Sequence, residues 1–167
     1  MTVKLFRNVS CILPALACVI LAFSADQLSK FAIVEIIMQP PREIYVTRFL
    51  NFTLSYNTGV SFGFMSSYFA VYPAILSCIT SVIVSLLAVW MLCSATKMEA
   101  IGIGLMIGGA IGNIYDRVKQ GAVTDFIDFH LNNWHWPTFN AADIAIFLGA
   151  ACLVVSSWRA PSRQLIR

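Results

Sequence analysis

The sequence predicts an all-α membrane protein, with four transmembrane helices carrying a small extracytoplasmic β-sheet. Of 167 residues, 59% are hydrophobic and 11% charged, with a mean hydropathy of +0.78, whereas about a quarter of the residues in a soluble domain are charged. Four apolar stretches are nearly free of charge, and about 20 such residues cross a bilayer. Between the first two, apolar and polar residues alternate as in a half-buried strand. A single integral membrane domain over residues 1–167 is expected.

The first helix is expected at about 9–36. Lys4, Arg7, an apolar run and Ala22-Phe23-Ser24-Ala25 imitate a cleavable export signal. The helical pattern nevertheless runs on past Ala25, with Asp26 and Lys30 one turn apart and able to pair, so a retained helix fits better. The outer loop at about 42–65 is β-rich: Leu50, Phe52, Leu54 and Tyr56 alternate with Asn51, Thr53, Ser55 and Asn57. Asn57-Thr58-Gly59 then reads as a turn, and Val60 to Met65 leads back to lipid. Asn57 is either part of that cap or a hydrogen-bonding group on its inner face.

No charge falls between Arg48 and Lys97, which places the second helix at about 68–92. The third, at about 98–117, carries Gly104, Gly108 and Gly112 four residues apart, a spacing that lets helix backbones approach closely in lipid. The fourth, at about 139–159, lies between Pro137 and Arg159.

Lys4, Arg7, Lys97, Arg159, Arg163 and Arg167 fall on the side shared by both termini; Arg42, Arg48, Arg117 and Lys119 fall opposite. The positive-inside rule therefore puts both termini in the cytoplasm and the loops at about 38–66 and 117–138 outside. Trp90 and Trp158 would lie at the inner interface, Trp134 and Trp136 at the outer one. The net charge of +3 arises mainly from these topological residues and gives a nucleic-acid role no support. All five cysteines lie in or beside apolar spans, away from the outer loops where bridges would form.

Asp116, Asp125, Asp128 and Asp143 crowd the outer ends of spans three and four and the loop between them. Charge at a membrane edge is costly and marks function. Two adjacent carboxylates cannot both ionise easily, so a close pair shares a proton and can activate water. Asp116 and Arg117 read better as a lock on the end of span three, because an adjacent guanidinium suits a carboxylate poorly to sharing a proton. Asp125 and Asp143 suit chemistry better. Asp143 has a structural alternative: Asn140 as N-cap, with Asp143 in the first helical turn. His130 and His135 beside Asp128 match no zinc spacing, so no metal is expected. Serine-elbow, zinc-protease and phosphate-loop motifs are missing.

Two other classes compete. A small proton or ion transporter would use Asp26, Lys30, Asp116 and Asp143 as a relay, but those groups gather at the outer end instead of spanning the membrane. A non-catalytic assembly factor packing through the glycine ridge would have no need of the paired Asn and Asp residues.

Four boxes decide more. Asp26-Gln27-Leu28-Ser29-Lys30, Asn57-Thr58-Gly59-Val60-Ser61-Phe62-Gly63, Gly108 to Asn113 with Asp116-Arg117 and Val123-Thr124-Asp125-Phe126, and Phe139-Asn140-Ala141-Ala142-Asp143 follow one another in order. Together they resemble the bacterial lipoprotein signal peptidases, or signal peptidase II. Ser61 and Thr124 are mild departures, standing where the family often has Ala and Val. The resemblance implies an aspartic intramembrane peptidase that cuts diacylglyceryl prolipoproteins before the lipidated cysteine. It assigns the dyad to Asp125 and Asp143, and matches Asn57, Asn113, Arg117 and Asn140 to positions that line or brace the site. Asp26, Lys30 and Asp116 match polar positions of structural character. No cofactor is expected. The implied setting is the bacterial inner membrane, with the site near the periplasmic face, contact with membrane lipid, and a monomer.

Overall fold

Among the described residues, four helices long and apolar enough to cross a bilayer carry a four-stranded antiparallel sheet at one end. The computed structural model describes residues 9–59 and 73–159. The expected return of Val60–Met65, the start of the second helix near Tyr68, and Lys4, Arg7, Arg163 and Arg167 lie outside them.

The chain runs α1 (Val9–Phe31), a π-helical turn (Ala32–Ile37), β1 (Ile44–Thr47), β2 (Leu50–Asn57), α2 (Pro73–Leu92), α3 (Lys97–Gln120), β3 (Val123–Leu131), β4 (Trp134–His135) and α4 (Ala141–Arg159). The π turn continues α1 to the sheet and buries Ile33 and Met38 against Phe126 of β3. In α2, the hydroxyls of Thr80, Ser81 and Ser85 donate to carbonyls one turn back, so they present no unsatisfied donor to lipid.

α3 is the least hydrophobic of the four spans and the most buried, since other helices, not lipid, cover it. Its glycines work on two sides. A Cβ at Gly108 would fall 2.5 Å from the Val19 carbonyl oxygen of α1, and one at Gly109 2.5 Å from the Ala142 carbonyl oxygen of α4. Gly104 repeats the first contact against Ala15, so α1 and α4 both seat directly on the α3 backbone. Cys11, Ala15, Met91, Ala100, Ile103 and Ile107 fill the contact among α1, α2 and α3.

α3 also runs farther than the expected 98–117. At its start the Thr96 hydroxyl accepts from Glu99 N–H, while the Glu99 carboxylate accepts from Trp90 and from the Ala95 amide. Nothing after Arg117 breaks the helix until Gly121, which closes it at φ +80°.

The strands lie in the order β1-β2-β3-β4, each antiparallel to its neighbour. Only the first two come from the loop expected to be β-rich. The segment around Asp125, read as a loop, is a nine-residue strand pairing Ser55 with Asp125 and Asn57 with Val123. The alternation along β2 also has a different sense from that expected. Asn51 is its most buried residue and Tyr56 is exposed, and the pairing with β3 shifts register between Phe52 and Ser55.

Candidate active site

β3 and the first turn of α4 bring Asp125 and Asp143 to one cavity of about 530 Å³, lined also by Asn57, Asn113 and Arg117. Asp125 is 2% exposed. Its Oδ1 accepts from Asn140 Nδ2 at 2.6 Å and its Oδ2 from Asn57 Nδ2 at 3.2 Å. The Asn57 side chain is in turn steadied by Gly59 N–H, which donates to its Oδ1 at 2.9 Å. Burial first, and then the charge of Asp143, push the Asp125 pKa up to about 6, against the pull of its two amide donors.

Asp143 is held from two sides. Its Oδ1 accepts from Asn113 Nδ2 at 3.1 Å, and its Oδ2 from the Asn140 backbone N–H at 3.2 Å. Asn140 Oδ1 accepts from Asp143 N–H at 3.0 Å, which makes the pair a reciprocal helix cap. Asp143 thus belongs to the N-terminal cap of α4 and also lines the cavity. Asn140 touches both carboxylates, one through its side chain and one through its backbone.

Arg117 donates from Nη2 to the Gly59 carbonyl at 2.9 Å and from Nη1 to the Asn113 carbonyl at 3.2 Å. Among the described residues its buried Nε has no hydrogen-bond partner. Asp116, one residue earlier, points elsewhere: its Oδ2 accepts from Lys30 Nζ at 2.8 Å and from Thr124 N–H at 3.1 Å. Lys30 also meets Asp26 Oδ2 at 2.8 Å, and Asp26 Oδ1 accepts from Ala142 N–H at 3.0 Å. Asp26, Lys30 and Asp116 thus join α1, α3, β3 and the start of α4.

Asp128 lies apart from the cavity. Its carboxylate meets His135 Nδ1 at 2.9 Å, the two histidine rings stack with centroids 5.2 Å apart, and His130 Nε2 meets Asn51 Oδ1 at 3.2 Å. Among the described residues, no three His, Cys, Asp or Glu side chains converge as a metal site would require. Of the four crowded carboxylates, two share the cavity.

The sequence reading passed over Gln27, whose amide bridges Asp26 Oδ2 and Asp116 Oδ1. A polar amide inside an apolar span was the signal for it. Gly112, legible in the sequence only as part of the helix-packing ridge, also makes room for the Asp26 carboxylate, with which a Cβ there would collide, and no motif announces the apolar wall of the cavity formed by Trp136, Phe139, Ile144 and Phe147.

The profile of the signal peptidase (SPase) II family matches residues 18–159. The chain belongs to the signal peptidase II family. It is 39% identical to the lipoprotein signal peptidase of Alteromonas mediterranea over 142 residues, 83% of this chain and 77% of that one. It is 38% identical to that of Coxiella burnetii over 147 residues, covering 87% and 90% of the two chains. For that of Nitrobacter hamburgensis the identity is 40% over 149 residues, 86% and 91%. A bacterial membrane enzyme determined by the in meso method at 2.3 Å resolution superposes with a TM-score of 0.78 at 26% identity, covering 93% of this chain and 94% of the other. A second, at 1.9 Å resolution, gives 0.71 at 27% identity over 90% and 96%. As a signal peptidase II, the chain is a multi-pass bacterial membrane protein and a protease; the aspartic type is consistent with that family.

Proposed function

We propose that Asp125 and Asp143 are the catalytic dyad of a lipoprotein signal peptidase that cuts diacylglyceryl prolipoproteins immediately before the lipidated cysteine. The observation that carries this reading is their presence on one cavity, with amide donors from three elements fixing both carboxylates. The pair holds one proton jointly. The ionised member takes a proton from water as its oxygen attacks the scissile carbonyl, and the protonated member donates to the carbonyl oxygen. Collapse of the tetrahedral diol breaks the C–N bond as the carboxyl proton passes to the leaving amine, and a diol hydroxyl gives its proton to the other carboxylate as the new carbonyl forms, which restores the single proton of the dyad.

Asn57, Asn113 and Asn140 keep the carboxylates in place, and Arg117 offers the cavity a positive charge near the developing oxyanion. No cofactor takes part. Asp26, Lys30 and Asp116 hold the elements beneath the site together. The substrate's lipid stays in the bilayer while its peptide reaches the cavity from the apolar wall. The enzyme acts as a monomer in the inner membrane, with both termini cytoplasmic and the dyad near the periplasmic face; the distribution of Lys and Arg supports that orientation.

The test is cleavage of a lipidated precursor by purified Asp125→Asn and Asp143→Asn. Each is expected to lose activity by about ten-thousandfold or more, and near-normal turnover by either would reject the dyad. Proton flux in liposomes without cleavage would instead favour a carboxylate relay.

A further inference from the structure

Lys30 lies at the meeting point of α1 and α3 and is 5% exposed. Its ammonium has three hydrogens and meets three acceptors: Asp26 Oδ2 at 2.8 Å, Asp116 Oδ2 at 2.8 Å and Asn113 Oδ1 at 3.2 Å. The first two contacts make an ionic lock between helices. The third is surplus to a lock, since it leaves the carboxylates and reaches a side chain of the candidate site.

Asn113 Oδ1 accepts a second hydrogen, from Asn140 Nδ2 at 3.2 Å. With two donors on its oxygen, one of them cationic, the Asn113 amide has one favourable orientation. Its NH2 end must face Asp143 Oδ1, where it donates at 3.1 Å. Turning the amide over would set its N–H groups against an ammonium and another amide, and its carbonyl against a carboxylate. The same Asn140 nitrogen uses its other hydrogen on Asp125 Oδ1. One buried cation therefore fixes an amide that touches one member of the pair directly and adjoins the amide that holds the other.

We propose that Lys30 is a positioning residue of the peptidase: acting through Asn113, it sets the hydrogen-bond polarity of the network that presents both aspartates. This rests on the dyad reading. The groups facing Lys30 are Asp26 on α1, Asp116 and Asn113 on α3, and, farther off, Asp125 on β3 and Asp143 on α4; Arg117 on α3 is the other cation beside the pair. The Lys30 charge favours the ionised form of Asp125. An arginine's planar fork matches three converging acceptors less well than a compact ammonium.

The experiment compares Lys30→Arg, Lys30→Gln and Lys30→Met in purified full-length enzyme, with kcat and KM on a lipidated precursor measured across pH and expressed per folded molecule. Lys30→Met is expected to lose about ten- to a hundredfold in kcat, with KM changed less than threefold and the acid limb of the kcat profile moved up by roughly half a pH unit or more. Lys30→Gln, which keeps a donor without the charge, should fall between Met and the parent. Lys30→Arg should restore the position of the limb. If Lys30→Met does not fold, the charge-balanced pair Asp26→Asn with Lys30→Gln takes its place, because it keeps the net charge of the cluster. A kcat per folded molecule and an acid limb equal to the parent's would overturn the proposal and leave Lys30 as a lock alone. Asp125→Asn is assayed alongside. Its inactivity together with parental Lys30 variants defeats only this inference, whereas its activity defeats the dyad reading itself.

Discussion

Asp125 shows how one side chain is prepared by its surroundings. Burial and the neighbouring Asp143 raise its pKa from 3.8 to about 6, more than its Asn57 and Asn140 donors can offset. Across that window the folded protein keeps a proton at Asp125 that the unfolded chain has already released. Stability should therefore fall as pH rises from about 4 to about 6 and then level off. Thermal unfolding in detergent at successive pH values checks this. The melting temperature of the parent should drop relative to Asp125→Asn through the window, and parallel curves would show that Asp125 does not titrate there. The residue types of the site were legible in the sequence because charged and amide groups stand out against lipid-soluble neighbours. Their partners were not. Asp116 and Arg117 are adjacent in the chain yet project from α3 in different directions, one to Lys30 and one to the Gly59 carbonyl, and adjacency alone says nothing about which neighbour each finds.

At the scale of elements, the helices were readable because a bilayer admits few alternatives to long uncharged runs. β3 was harder to read. From Ile127 to Leu131 apolar and polar residues do alternate, but Asp125-Phe126 breaks the phase. The polar row is also the covered one: Asp128 is buried while Phe129 and Leu131 are exposed, the reverse of a strand facing water on one side. α3 carries a sharper prediction. Gly108→Val would force α1 away from the Val19 carbonyl and should destabilise the protein by about 2 kcal/mol or more. Gly121→Ala has open space around its Cβ and meets only the strain of φ +80°, worth about 1 kcal/mol. Unfolding midpoints of the two variants in detergent give the order, and a Gly121 variant the more damaged of the two would refute the close helix approach as the main constraint.

For the whole molecule, the proposed orientation can be tested with single cysteines in a background where the five native ones are replaced. Asn133 in the β3–β4 turn and Ala95 between α2 and α3 are both exposed and lie at opposite ends of the bundle. A membrane-impermeant maleimide should label Asn133→Cys in intact spheroplasts and Ala95→Cys only after permeabilisation, and the opposite pattern would invert the molecule. The connectivity has a temporal consequence. β2 and β3 are neighbours in the sheet, yet two whole helices separate them along the chain, and Asp143 arrives later still, on α4. While the polypeptide is being threaded into the bilayer, Asn57 waits for β3, and Asp125 then waits for the final helix to bring Asn140 and Asp143. On the proposed dyad, a nascent chain carries no working scissors beside the translocation machinery; cutting power arrives in a single stroke with the last segment to insert.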